Sequence, residues 1–568
     1  MEALPPATED ATLKEATAPD MVIDPRARME ILFAIMLGLF LSALDQTIVG
    51  VALPRILSDL QGIELYTWVV TIYLLTATIT GPIYGKLSDQ FGRKWLLMFG
   101  VTVFLIGSVL SGLSQSMIQL IIFRGLQGLG AGSLFPISLA VIGDLFTPRE
   151  RGKYQGLFGA VFGIAALIGP ALGGFLTDSI SWHWVFFVNL PVGVVALFII
   201  WRLMPAHLGA GVSRKIDYLG AAVFTLALIP ILIGLTNFQT MDWTDPWVAG
   251  LIALGLVVGV VFIWVEWRAP EPIVPLDLFR IRSYTVSMIA VFLASFGFFA
   301  AIIFLPLWYQ AVQGASATAS GYQLLPLLAG LILSSIISGQ LVSRTGRYKW
   351  LTVAALLLVS VGMLLLTNIR TDTPAPVLWV WQFIAGVGIG PTMAVFTIII
   401  QNAVPWQKLG VATSNMTFFR QVGGTVGLAL AGTIFGSAIR TQAPVQVANQ
   451  LQAAGVPAAQ IQQFSSQLSF SGNQFSQLTG VGDVGASILA DVPQQFRALV
   501  EPLIPAIVRG IHDAFSLAIA DTMWLAVGAA LLATVATLAL HEVALRTTIR
   551  NESAYPARQP TEAAPAAE

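Results

Sequence analysis

Fourteen apolar runs follow one another along the chain, at 31–54, 67–84, 95–113, 117–143, 153–176, 183–203, 217–236, 247–265, 285–311, 319–342, 349–368, 377–401, 411–437 and 517–541. Each is near the ~20 residues that a helix needs to cross a bilayer. One of the gaps is a tight polar hinge, Gly85-Lys86-Leu87-Ser88-Asp89-Gln90-Phe91-Gly92-Arg93-Lys94. Its glycines, leucine and arginine return 254 residues later in Gly339-Gln340-Leu341-Val342-Ser343-Arg344-Thr345-Gly346-Arg347. A second repeat sets Arg124-Gly125-Leu126-Gln127-Gly128-Leu129-Gly130-Ala131-Gly132 against Gln382-Phe383-Ile384-Ala385-Gly386-Val387-Gly388-Ile389-Gly390, with the last three glycines in register at an offset of 258. The pattern predicts an all-α polytopic membrane protein. Two six-span bundles, 29–203 and 285–541, flank two inserted spans in 204–284. Parallel repeats about an axis normal to the membrane are a common build of secondary transporters.

Charge orients the spans. Lys86, Arg93, Lys94, Arg149, Arg151, Lys153, Arg202, Arg214, Lys215, Arg268, Arg280, Arg282, Arg344, Arg347, Lys349 and Lys408 all fall on the side of the chain ends. The opposite loops hold only Arg55, Arg370, Arg440, Arg497 and Arg509. The positive-inside rule then places both termini in the cytoplasm, and the expected location is the plasma membrane. Residues 1–28 lack the apolar core and cleavage site of a signal peptide. They read as a disordered cytoplasmic tail, as do 542–568. The outer segment 438–516 is rich in Gln, Ser, Ala and Val. Its stretches 444–465 and 493–516 read as amphipathic helices on the outer leaflet, with a loosely structured cap as the alternative.

Composition narrows the chemistry. At 56% hydrophobic and 10% charged residues, the chain has too little charge to cover a soluble protein. The absence of cysteine removes disulfides, thiol catalysis and thiolate metal sites, and four histidines leave little for a histidine-based one. The Gly-x-Gly patterns lie inside apolar spans with no Lys-Ser/Thr after them, so they are not phosphate loops. No ATPase unit, cofactor or nucleic-acid partner is expected, and an ion gradient is the energy source. No Ser/His/Asp or paired-carboxylate set converges in the spans, which argues against an enzyme.

Four stretches resemble the major facilitator superfamily, in particular its 14-span drug:proton antiporter branch. Leu44-Asp45-Gln46-Thr47-Ile48-Val49-Gly50-Val51-Ala52-Leu53-Pro54 is similar to that branch's first-span signature. Gly85 to Lys94 resembles the superfamily's hinge motif, and Arg124 to Gly132 its fourth-span motif. Gly163-Ile164-Ala165-Ala166-Leu167-Ile168-Gly169-Pro170-Ala171-Leu172-Gly173-Gly174 resembles the fifth-span motif of exporters. The second half departs from the pattern, with Ser343 in place of Asp89 and Gln382 in place of Arg124. The ion chemistry is therefore expected mostly in the first half.

Asp45 and Arg124 sit at similar depth in spans one and four. An acid at mid-bilayer costs about 2.5–3.5 kcal/mol on insertion scales, so it needs a partner or a wet cavity. In the resembling fold both spans line the central cavity. Asp45 and Arg124 are thus the candidate proton-coupling pair, with a fixed structural pair as the competing reading. Gly85, Asp89, Gly92, Arg93, Asp144 and Glu150 are candidates for an inside latch between the halves. Gly163, Gly169, Pro170, Gly173 and Gly174 strip one face of the fifth span for close packing. The resemblance implies that this face meets the opposite half and limits leakage. Gln46, Phe296, Phe299, Asn415, Phe419 and Arg420 are candidates for the substrate cavity, where aromatic faces suit flat lipophilic or cationic ligands. Arg420 fits a purely cation-selective cavity poorly. The expected partners are a small lipophilic substrate and the bilayer, and the expected state is a monomer.

These expectations give a proton-driven exporter of lipophilic, often cationic compounds. Export or flipping of a lipid-like molecule is the alternative. A membrane sensor that kept the transporter fold is a third reading, opposed by the membrane-buried Asp45 and Arg124.

Overall fold

The computed structural model describes residues 24–60, 65, 68–206, 208, 216–237, 245–457, 497 and 501–545. Among these there is no strand, and fourteen helices are long and apolar enough to cross a membrane. Helix is the required answer for such runs, because lipid offers no partner to a free backbone group. The first bundle contains α1 (Pro25–Leu60), α2 (Trp68–Phe91), α3 (Arg93–Gly112), α4 (Met117–Leu145), α5 (Pro148–Ser179) and α6 (Asn189–Leu203, after a short turn at Trp184–Phe187). The inserted pair is α7 (Tyr218–Asn237) and α8 (Pro246–Arg268). The second bundle contains α9 (Arg282–Ala311), α10 (Leu325–Thr345, after Ala317–Tyr322), α11 (Lys349–Leu366), α12 (Ala375–Ala403), α13 (Leu409–Ala453) and α14 (Ile504–Leu538).

The internal repeat is visible in the packing. A side chain at Gly128 of α4 would run into Tyr73 O of α2, and one at Gly386 of α12 into Leu327 O of α10, 254 residues after Tyr73. Gly132 against Ala77 O is matched by Gly390 against Leu331 O. Gly130 against Phe104 is matched by Gly388 against Val359. The same small residues bring the same helices together in each half, as close helix approach in lipid requires. Both hinge copies end on a glycine with positive φ, Gly92 at 94° and Gly346 at 71°. Side-chain-bearing residues rarely adopt that conformation.

The halves meet along two seams, α2 with α13 and α5 with α10. In the first, Gly85 faces Ser414; in the second, Gly152 crosses Gly339 backbone to backbone. The inserted hairpin covers the flank of the first seam. Phe224, Leu228 and Leu232 of α7 pack on Leu75 and Ile79 of α2 and on Phe418 of α13. Helix α8 turns outward, with Val257 64% and Val260 68% exposed.

Three boundaries differ from expectation. Helix α13 runs 45 residues, about twice what a span needs. Its outer part, with the start of α14, forms a two-helix stalk closed by Val447, Leu451, Ile507 and Ile511. The amphipathic faces at 444–453 and 504–516 therefore bury each other instead of lying on a leaflet. Residues 458–496 and 498–500 of that outer segment lie outside the described residues. At the chain ends, α1 already begins at Pro25 within the expected tail. Glu542 accepts hydrogen bonds from Tyr348 N (2.7 Å) and Lys349 N (3.4 Å), so 542 and 543 belong to the second hinge. Residues 1–23 and 546–568 lie outside the described residues.

Candidate functional site

Arg124 enters α4 seven residues after Met117, about 10 Å along the helix axis. Its Nη1 donates to Asp45 Oδ2 at 2.5 Å, joining α4 to α1. Asp45 Oδ1 accepts from Gln127 Nε2 at 2.8 Å and from Asn189 Nδ2 at 3.3 Å. Arg124 also donates from Nη1 to Gln127 Oε1 (2.8 Å) and from Nε to Val69 O (3.3 Å), and lies over the Tyr73 ring at 4.2 Å. Asn189 is held in turn by Ser108 Oγ at 3.0 Å. The carboxylate is thus saturated with donors, which a buried charge requires.

Asp45 is 0% and Arg124 1% exposed. The pair is sealed among α1, α2, α4 and α6, whereas the resemblance implied that it lines the central cavity. Gln46, the next residue, is exposed. A proton arriving at Asp45 would leave Arg124 without its counter-ion and convert two acceptors into one donor and one acceptor. The arrangement can therefore exist in two discrete hydrogen-bonding states. The equivalent place in the second half is neutral, with Gln382 Nε2 donating to Tyr309 Oη at 2.8 Å.

The candidate latch residues form a second charge cluster, at the end of the bundle that carries the basic loops. Asp89 Oδ1 meets Arg93 Nη1 at 2.5 Å, and Asp144 Oδ2 meets Arg93 Nε at 2.8 Å. Asp89 also reaches the other half, accepting from Gly410 N (2.8 Å) and Val411 N (2.7 Å) at the start of α13. A carboxylate at a helix N-terminus satisfies free amides and meets the favourable end of the helix dipole. Ser88 Oγ accepts from Arg93 Nη1 at 2.6 Å. Gly85 and Gly92 provide the close approach and the turn. Glu150, also expected in the latch, stands outside it. Its carboxylate accepts from Thr147 N at 3.0 Å, closing a capping box at the start of α5.

Two features of the latch escaped the sequence reading. Gln401 Nε2 donates across the halves to Leu139 O (3.0 Å) while its Oε1 accepts from Gln155 Nε2 (2.8 Å). The connection between α8 and α9 straps both sides, with Glu271 on Lys86 and Asp277 on Lys408, each at 2.6 Å. Nothing in local sequence pairs residues this far apart. Gln127 and Asn189 could have been suspected, since buried amides in a span need partners.

The exporter stretch divides. Gly163 faces Ile332 of α10, and Pro170 lies beside Gly321. Gly169 and Gly173 pack instead on Thr47 and Ile48 of α1, within their own half, which corrects the expectation of a single face toward the opposite half. Gly174 has only Thr318 near it. The leading contact with α10 comes earlier, from Gly152, Gly156 and Gly159.

The expected cavity residues are not gathered around one opening. Phe296 is buried against Gly427, and Phe299 lies on Gly424, so both pack α9 to α13. Asn415 donates to Tyr284 Oη at 3.2 Å, and Phe419 lies 6.0 Å from Phe279. Arg420 differs: its Nη2 is buried with no partner among the described residues.

A sequence model described as Major Facilitator Superfamily matches residues 35–428. The multidrug transporter protein MdtP of Bacillus subtilis (strain 168) is 41% identical over 72% of this chain and 75% of its own length. Multidrug resistance protein 3 of the same organism is 35% identical over 91% of this chain and 96% of its own. Among solved structures, the proton:xylose symporter XylE bound to 6-bromo-6-deoxy-D-glucose aligns with a TM-score of 0.53 at 14% identity. That alignment covers 90% of this chain and 95% of the other, a likeness of fold alone.

Proposed function

The chain belongs to the major facilitator superfamily, as a transporter of the multidrug efflux type, and on that premise we propose that it exports lipophilic, often cationic compounds in exchange for protons. It works by alternating access of its two bundles, from the plasma membrane, with both termini and the Asp89 latch on the cytoplasmic side. The protein acts as a monomer and needs no cofactor beyond the proton gradient. The observation that carries this reading is the buried Asp45–Arg124 pair, an acid that one proton would uncouple from the one charge partner it has among the described residues. The latch supports alternating access, since its Asp89–Gly410 and Asp89–Val411 hydrogen bonds must part when the closed end opens. The names of the two Bacillus relatives support the substrate class.

The test is uptake of fluorescent lipophilic cations by proteoliposomes under an imposed pH gradient. Accumulation into acidic vesicles, collapsed by a protonophore, is the expected result. Uptake that ignores the gradient contradicts proton exchange. The buried Arg420 Nη2, without a partner among the described residues, favours a second reading, movement of an anionic or zwitterionic lipid-like molecule. Labelled lipid moving across the bilayer, with no cation uptake, selects it.

A further inference from the structure

A cavity of about 790 Å³ opens beside α8, lined in part by the Asp277–Lys408 pair of the strap. Its floor is the strap between α8 and α9. Its outer wall is Ile263, Trp264 and Trp267, of which the tryptophans are 51% and 78% exposed. Helix α8 is the outward member of the inserted hairpin, so this wall faces lipid. Tryptophan at the end of a span belongs at the headgroup level.

The polar lining is Glu266, Asp277, Arg280 and Lys408. The two acids differ. Glu266 is 2% exposed; its Oε2 accepts from Val274 N at 3.3 Å, while its Oε1 is buried with no partner among the described residues. Asp277 is paired with Lys408 at 2.6 Å. Among the described residues no hydrogen bond or ion pair engages Arg280, which is exposed. Arg268, outside the lining, stands over Trp264 at 4.1 Å. An apolar slot leading from lipid to the guanidinium of Arg280 matches one ligand class by shape and charge. Basic pockets between helices at this level hold phosphate headgroups, and arginine is the residue best suited to phosphate.

We infer that this cavity is a binding site for an anionic phospholipid, its phosphate on Arg280 and its acyl chains along Ile263 and Val260 of α8. The site does not depend on what the protein transports. It abuts the strap, so an occupied site lies against the segment that ties Lys86 of one half to Lys408 of the other.

The test uses the purified full-length protein in neutral detergent, titrated with pyrene-labelled phosphatidylglycerol and, separately, pyrene-labelled phosphatidylcholine. Wild type is expected to prefer phosphatidylglycerol. Arg280→Gln is expected to weaken that binding about tenfold, the loss of one charge-assisted hydrogen bond, with an unchanged Tm. Trp267→Ala, also on the exposed wall, is expected to weaken both lipids. Three results overturn the inference: no preference between the lipids, Arg280→Gln binding as wild type does, or inorganic phosphate displacing the label as well as unlabelled phosphatidylglycerol does. The last would assign the basic groups to free anions.

Discussion

The two seams between the halves stand on matched glycines, Gly85 with Gly410 in one and Gly339 with Gly152 in the other, yet they hold differently. At the first, Asp89 carries its charge across to the start of α13 and is itself held by Arg93. At the second, Ser343 occupies the equivalent place and Gly152 simply crosses Gly339 in backbone contact. The same contrast recurs deeper in the membrane. Arg124 pairs with Asp45 in the first half, where Gln382 meets Tyr309 in the second. The shared frame shows what packing requires of both halves, and under the proposed function the unshared charges are where a proton would act. On that proposal one half carries the ion chemistry, and the other supplies the surface it works against.

Arg124→Gln should have the largest effect on this contrast, because it leaves Asp45 buried without its counter-charge. A loss of about 3–5 kcal/mol is expected, read as a fall in Tm in detergent. Adding Asp45→Asn to it copies the neutral second half. The double variant should recover most of the lost Tm, since a buried ion pair can be replaced by uncharged groups at little cost. It should transport nothing against a pH gradient. A double variant no more stable than Arg124→Gln would break the comparison.

Asp89→Ala comes next. It removes the acceptor of two amides and one of two carboxylates on Arg93, with about 1–3 kcal/mol expected for donors left buried. The chain has no native cysteine, so a single Ser414→Cys reports on the seam without background. Its labelling by a water-soluble maleimide should rise severalfold in Asp89→Ala and change little in Ser343→Ala. Equal responses would mean that the two seams are equivalent.

The smallest effect belongs to the neutral site. Tyr309→Phe removes one hydrogen bond to Gln382 and should cost about 1 kcal/mol, with gradient-driven transport intact. Loss of coupling in that variant would move ion chemistry into the second half.

Much of this was legible in the chain itself. Fourteen spans, the repeat and the pairing of Asp45 with Arg124 follow from apolar run length, glycine register and the cost of a lone charge in lipid. The stalk was misjudged because a helix that leaves the membrane keeps its apolar stripe. Val447 and Ile511 look the same facing a leaflet or each other. Glu150 was misplaced because a capping glutamate and a latch glutamate have the same local sequence. The strap ion pairs and Gln401 were invisible, since contacts across 131 to 262 positions leave no periodic trace. The burial of Asp45 and Arg124 inside the first bundle also depends on Asn189 and Tyr73, which only the folded bundle brings alongside.

The most direct test of the central claim is pH-gradient-driven uptake of a lipophilic cation by Asp45→Asn proteoliposomes, measured beside wild type with folding confirmed by Tm. The account predicts that the variant loses gradient-driven accumulation while still exchanging labelled for unlabelled compound across the membrane. Accumulation at the wild-type level would contradict it, and would leave the Asp45–Arg124 pair as a structural bond with no part in coupling.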